Sequence, residues 1–235
     1  MTGRPRRWPW DSGAFVGGDP VPGYVGDGLL RGRRALVAGG VTDGSGAGRI
    51  AAVALAKEGA AVAVADRTAR AGPSGAWPLD QRGHDDVLLA TTRLLTAIGA
   101  RTLALHCDLD TEAGCRGAAA HTALEFGAID TLVVCVDTGD GWGGQADSTG
   151  WLVEGARVFM VAGASVVVPD SPPASGPHAP ASTGRVAGTG ALPAPLAATL
   201  RERGIRVGGV DPEHGDAVAR AAAYVSLSSV ERSRV

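Results

Sequence analysis

The sequence predicts an α/β fold built on a doubly wound parallel sheet, and three observations carry that reading. From Arg33 onward, short apolar runs alternate with segments of helical period. Strands and helices in alternation form βαβ units, and the right-handed crossover rule winds such units into a sheet covered on both faces. A glycine-rich segment, Gly39-Gly40-Val41-Thr42-Asp43-Gly44-Ser45-Gly46-Ala47-Gly48, falls between the first strand and the first helix, and an acidic residue, Asp66, ends the second strand.

Taken in order, residues 1–30 are rich in Gly, Pro, Trp and Arg, follow no helical or alternating period, and read as an irregular N-terminal arm; residues 31–235 form the domain. Ala35–Ala38 is a buried strand ending at Gly39-Gly40. Arg49–Lys57 carries Ile50, Val53 and Ala54 on one helical face and stops at Gly59. Ala61–Ala65 is the second strand, and Val87, Thr91, Leu94 and Ile98 space a helix over Val87–Ile98. Thr102–Cys107 is a strand, Thr111–Phe126 a helix capped by Thr111 or Asp110, and Thr131–Val136 the fourth strand. A short helix over Trp151–Met160 precedes the strand Ser165–Val168, and a helix over Leu196–Arg203 precedes Ile205–Val210. Ala217–Leu227 closes the series, so the Rossmann-like sheet is expected to be truncated at its C-terminus, with an edge left open unless the arm or a partner covers it.

The 235 residues suit one domain, and 24 acidic against 22 basic side chains give a formal charge of -2, which argues against nucleic acid as a partner. Every stretch of membrane-spanning length is interrupted by charges, Gly or Pro, so no membrane span is expected. The 36 glycines and 14 prolines predict long loops. Cysteines at 107, 115 and 135 are odd in number and lie in apolar segments, which implies no disulfide framework and points to a reducing, cytoplasmic setting. Arg6-Arg7 runs into Trp8-Pro9-Trp10 rather than an apolar stretch, a poor export signal.

The glycine loop is the first candidate for chemistry. Glycines let a backbone turn sharply and approach a pyrophosphate, whose charge is stabilised at a helix start. Gly40, Gly44, Gly46 and Gly48, with Asp66 eighteen residues beyond Gly48, therefore read as a dinucleotide site. Asp66 can accept hydrogen bonds from a ribose and would repel a 2'-phosphate, which favours NAD over NADP. The competing reading is that the glycines permit helix-sheet packing and that Asp66 caps a loop.

With these residues in place the chain resembles the short-chain dehydrogenase/reductase superfamily from about Leu29 to Leu227. Leu29-Leu30-Arg31-Gly32-Arg33-Arg34-Ala35-Leu36-Val37 is similar to the family's entry into strand one. Cys107-Asp108-Leu109 resembles its adenine-contacting turn, with Asp108 in the contacting position, and Phe126-Gly127-Ala128-Ile129-Asp130 its approach to strand four. Arg203-Gly204-Ile205-Arg206-Val207 looks like its strand six. The resemblance implies a Tyr that protonates the substrate carbonyl and a Lys four residues later that lowers the phenol's pKa. This chain departs from that pattern. Its tyrosines are Tyr24 and Tyr224, its one lysine is Lys57, and the expected positions fall near Ser182 and Val186, with Arg185 alongside. Val134-Cys135-Val136-Asp137 replaces the family's Asn-Asn-Ala-Gly, and Thr42 and Asp43 look inserted into the glycine loop. Ser171 falls where the resemblance places a substrate-orienting serine. Seven prolines and four glycines between Pro169 and Pro195 exclude a long helix there.

Other side chains in the sequence are of types that carry chemistry. His106, Cys107, Cys115 and His121 lie close in sequence, but their spacing does not match structural zinc, and no metal site is expected. His178 and His214 sit in loops that the resemblance puts near a nicotinamide, and Asp170 reads as part of a turn. Trp8, Trp10, Trp142 and Trp151 either anchor an interface or fold back on the chain's own core. The leading expectation is a catalytically degenerate homologue that acts as a partner or scaffold subunit in a homo- or hetero-oligomer with a chain of the same family, still able to hold NAD. The alternative is an NAD-dependent oxidoreductase acting on a hydroxyl or ketone, with Ser171 orienting substrate and His178, Ser182 or Arg185 relaying the proton. Non-redox chemistry in the nucleotide pocket is a third class, supported by no residue constellation.

Overall fold

The computed structural model describes residues 18–22, 24–42, 47–67, 81–136, 145–169 and 192–210. Within them, six strands and five helices alternate: β1 (Arg34–Ala38), α1 (Ala47–Lys57), β2 (Ala61–Asp66), α2 (Gln81–Ile98), β3 (Thr102–His106), α3 (Glu112–Phe126), β4 (Ile129–Val134), α4 (Gln145–Arg157), β5 (Met160–Pro169), α5 (Ala194–Glu202) and β6 (Arg206–Val210). All pairings are parallel, and the strand order is β3-β2-β1-β4-β5-β6. This is the Rossmann-like sheet expected from the alternation. The order reverses direction between β1 and β4, the switch point outside whose C-terminal strand ends doubly wound sheets generally bind their ligands.

Side-chain alternation divides the core into two layers. Val37, Val62, Val64 and Val133 face α1 and α2, where Val53, Leu55, Leu88 and Leu95 pack. Leu36, Ala63, Leu132 and Val166 face the other way, onto Cys115, Leu152 and Leu200 of α3, α4 and α5. β4 is buried at every position, as a central parallel strand between two helical layers must be.

Local chemistry sets the ends of the elements. Thr111 Oγ1 accepts from the Gly114 amide at the start of α3, and Gly127 closes the helix in a left-handed conformation (φ 90°) with its amide on Ala123 O. Of the two caps the sequence offers, Thr111 is the one used. Four boundaries move by more than an end residue or two: α2 begins at Gln81 rather than Val87, and α4 at Gln145 rather than Trp151. α4 ends at Arg157 rather than Met160, and β5 runs for ten residues from Met160 rather than from Ser165. The apolar run Val158 to Ala164 suits either a helix or a strand by periodicity. The tertiary structure resolves it: Met160 pairs with Ile129, three extra residues bulge out around Gly163 (φ +86°), and pairing resumes at Ser165 opposite Thr131. The segment Ala217–Leu227 lies outside the described residues. No helix among the described residues is long and apolar enough to cross a membrane.

Residues 18–22 and 24–33 have irregular backbone, as the composition of the arm suggests, yet they are packed. Val21 and Leu30 are buried in the same core layer as α1. Two adjacent residues at the end of α1 hold them. Lys57 Nζ donates to Asp19 Oδ2 at 2.7 Å, to Val21 O at 2.7 Å and to Tyr24 O at 2.9 Å. The buried Glu58 carboxylate accepts from the Tyr24 hydroxyl and from the Asp27 and Leu29 amides. At the other end of α1, Arg49 Nη2 donates to Gly18 O at 2.7 Å, so the described arm runs the length of that helix.

Candidate functional site

At the C-terminal ends of β1, β2 and β3 lie Gly40, Asp66 and Asp108, three of the residues that the sequence marks for ligand binding, with Gly48 against Gly40. β1 leads into Gly39 and Gly40, whose φ values of +78° and +71° belong to the region that only glycine enters cheaply. Close approach makes the same demand. A Cβ on Gly40 would lie 2.7 Å from Cys135 Cβ and from Gly48 N, and one on Gly48 would lie 2.0 Å from Gly39 O. The loop, the first turn of α1 and the end of β4 thus meet backbone to backbone. The Gly48 amide donates to Gly40 O at 2.9 Å and the Cys135 amide to Ala38 O at 2.7 Å. Gly44 and Gly46 lie outside the described residues.

Asp66 sits at the end of β2, where the pattern puts it, and is 2% exposed. Its Oδ2 accepts from the Val41 amide at 2.9 Å and the Thr42 amide at 2.8 Å, and its Oδ1 from the Arg67 amide at 2.7 Å. Asp108, after β3, is exposed and accepts from the Asp110 amide at 3.0 Å. Arg67 Nη1 reaches both carboxylate oxygens of Asp110 at 3.2 Å, an ion pair that links the ends of β2 and β3. This contact was not legible in the sequence, because residues 67 and 110 become neighbours only through the β2-β3 register.

Two thiols line the same end of the molecule. Burial, reinforced by the charges of Asp66 and Asp108, pushes the Cys107 thiol up to about 12. Burial, with Cys107, Asp108 and Asp110 nearby, does the same for Cys115. Cys115 Sγ donates to Leu109 O at 3.2 Å, so it behaves as a neutral packed thiol. His106 and His121 are exposed, and among the described residues no three His, Cys, Asp or Glu side chains are placed to hold a metal ion. Trp151 packs against the α3-α4 core layer, one of the two roles open to it from sequence.

Of the candidate proton-relay and substrate residues, Ser171, His178, Ser182 and Arg185 all lie outside the described residues, as do Tyr224, His214, Trp8, Trp10 and Trp142. Lys57 and Tyr24 are described. Both are engaged at the C-terminal end of α1, which is the opposite end of the sheet from the glycine loop.

No family model matches the chain. It is 31% identical over 215 residues to the uncharacterized oxidoreductase YghA of Escherichia coli, covering 82% of this chain and 67% of that protein. It is 29% identical over 172 residues to the uncharacterized oxidoreductase YhxD of Bacillus subtilis, where it spans only 52% of the relative's length. Among solved structures, a short-chain dehydrogenase from Burkholderia cenocepacia in complex with NADP matches with a TM-score of 0.56 and 23% identity, over 84% of this chain and 91% of that one. At that identity the likeness speaks for the fold. Sheet order, glycine loop and relatives agree: the chain belongs to the short-chain dehydrogenase/reductase superfamily.

Proposed function

We propose that this chain is a dinucleotide-holding member of its superfamily that lacks the Tyr-Lys proton relay and serves as a partner or scaffold subunit beside a complete relative. The observation that carries the proposal is the fate of its one lysine. All three Lys57 Nζ donors have acceptors in the arm, and the Tyr24 hydroxyl is spent on Glu58. Neither side chain is free to move a proton at a substrate oxygen at the far end of the sheet. Removing a general acid typically costs about a hundredfold to ten-thousandfold in rate.

The cofactor supported by the site is a nicotinamide dinucleotide, which supplies a hydride acceptor or donor when bound. The described residues fit such a group in part. Gly39, Gly40 and Gly48 keep side chains out of the space where the loop meets the helix start, and the α1 dipole favours an anion there. At the adenosine end, Asp66, Asp108 and Asp110 outnumber Arg67, whose charge is already paired with Asp110. A 2'-phosphate would meet net negative charge, which favours NAD over NADP. The NADP bound to the Burkholderia cenocepacia relative makes that preference a matter for measurement.

The test has two arms. Calorimetric titration of the purified full chain with NAD and NADP is expected to show binding, tighter for NAD. Assays of NAD-linked turnover over alcohols and ketones are expected to give no rate above background, while co-expression with a complete superfamily member yields a stable complex. Ordinary turnover by the isolated chain would refute the partner reading. It would support the alternative, an active oxidoreductase using Ser171, His178, Ser182 or Arg185.

A further inference from the structure

We infer that Asp66 is a positioning residue that clasps the glycine loop, and that it is not the group that reads the adenosine ribose. The inference rests on the dinucleotide reading above and changes how that site works. Gly39 and Gly40 take successive positive φ values, and the turn they make points the next two amides back toward the end of β2. Both amides, Val41 N and Thr42 N, converge on Asp66 Oδ2, and the remaining oxygen takes the Arg67 amide. The Gly39 amide donates to Ala65 O at 2.8 Å, so the start of the loop is fastened to β2 at two consecutive residues. With 2% of its surface exposed, the carboxylate offers a ribose hydroxyl almost no approach. Val41 is 3% exposed and anchors the clasp in the core.

The arrangement bears on the extra length of the loop. Thr42 and Asp43 look inserted relative to the family pattern, and a longer loop loses more conformational freedom when ordered. Two charge-assisted hydrogen bonds fix Val41 and Thr42, the residues that follow the glycine turn. A residue that would otherwise face the ligand is thereby turned onto the backbone that cradles it.

The experiment compares the full-length wild type with Asp66→Asn and Asp66→Ala. The first readout needs no ligand: amide hydrogen exchange at Val41 and Thr42, with Leu36 and Val37 of β1 as controls for global opening. A clasp predicts that protection at 41 and 42 falls roughly tenfold or more in the alanine variant, the size expected for lost bonds to a charged acceptor. Asparagine, which keeps one acceptor oxygen, should restore part of it, with β1 unchanged. Unaltered protection at 41 and 42 overturns the clasp. The second readout is a cycle of affinities for NAD and for NAD lacking the adenosine 2'-hydroxyl. A clasp predicts that the ratio of the two affinities is the same, within about twofold, in wild type and in Asp66→Asn. A ratio that collapses toward one in the variant makes Asp66 the ribose reader and refutes the inference. If neither dinucleotide binds wild type, the dinucleotide reading fails, and exchange at 41 and 42 still decides the clasp.

Discussion

Replacing Lys57 with methionine tests how the arm is held. The substitution keeps the unbranched stem and removes the ammonium, leaving Asp19 Oδ2, Val21 O and Tyr24 O without their shared donor. Hydrogen bonds to a charged group contribute about 1.5–3 kcal/mol each, and they do not add fully when one nitrogen makes all three. Asp19 is 31% exposed and can turn to water, whereas the Lys57 side chain is 14% exposed, so the carbonyls it serves sit in a poorly hydrated place. Together these give an expected loss of about 3 kcal/mol, a large part of the 5–15 kcal/mol typical of a domain. Urea unfolding should show a lower midpoint with the slope little changed. Trypsin should cut sooner at Arg31 and Arg33, and amine-reactive reagents should modify Lys57, the one lysine in this sequence, far more slowly in the native wild type than in the unfolded chain, as read by peptide mass spectrometry. A loss below about 0.5 kcal/mol, the range of an ordinary surface substitution, would refute the clamp.

Gly48→Ala would put a Cβ 2.0 Å from Gly39 O, and the expected outcome is a displaced loop, seen as weakened dinucleotide titration together with a lower melting temperature. Asp130→Ala should cost about 2–4 kcal/mol in chemical denaturation, because the buried carboxylate serves the Arg34 amide and guanidinium and leaves them unpaired when removed. That same carboxylate, through its hydrogen bond, raises the Arg34 pKa. For Cys107 and Cys115 the neutral thiol is favoured in the fold, with values near 12 against the ordinary 9.0. The stability they contribute is fully present below pH 9 and is lost as pH rises from 9 toward 12. Denaturation midpoints should fall across that window, and a Cys107→Ser, Cys115→Ser double variant should flatten the fall. Alkylation of native protein at pH 8 should be slow at both positions.

The fold was legible because its signal is local and repeated. Each buried parallel strand must be a short apolar run, and each helix between two strands must show period 3.6, so β1 to β4, α1, α3 and the part of α2 from Val87 onward are recognisable from the order of residue types. The signal weakens where one run suits both periods. Val158 to Ala164 reads as helix or strand until β4 is beside it, and the bulge that Gly163 permits is placed by where pairing with β4 resumes. The site was legible to the same degree. Gly39, Gly40 and Gly48 announce a backbone that turns and is closely approached, and Asp66 announces a carboxylate at a strand end, but its hydrogen-bond partners are loop amides that sequence order does not place.

By itself, the sequence determined the element order, the parallel sheet, the glycine turn and the lack of a second lysine, since all of these follow from residue type and spacing. Only the tertiary structure decided what the charged groups do. Lys57 and Glu58 lie at the end of a helix and could face solvent or a ligand; their bonds to Asp19, Val21, Tyr24, Asp27 and Leu29 make them the anchor of the arm. Arg67 meets Asp110, and Asp66 meets Val41 and Thr42, because strand register brings together residues 24 to 43 positions apart. A charge's partner is fixed by where the chain returns, and that is a property of the assembled sheet.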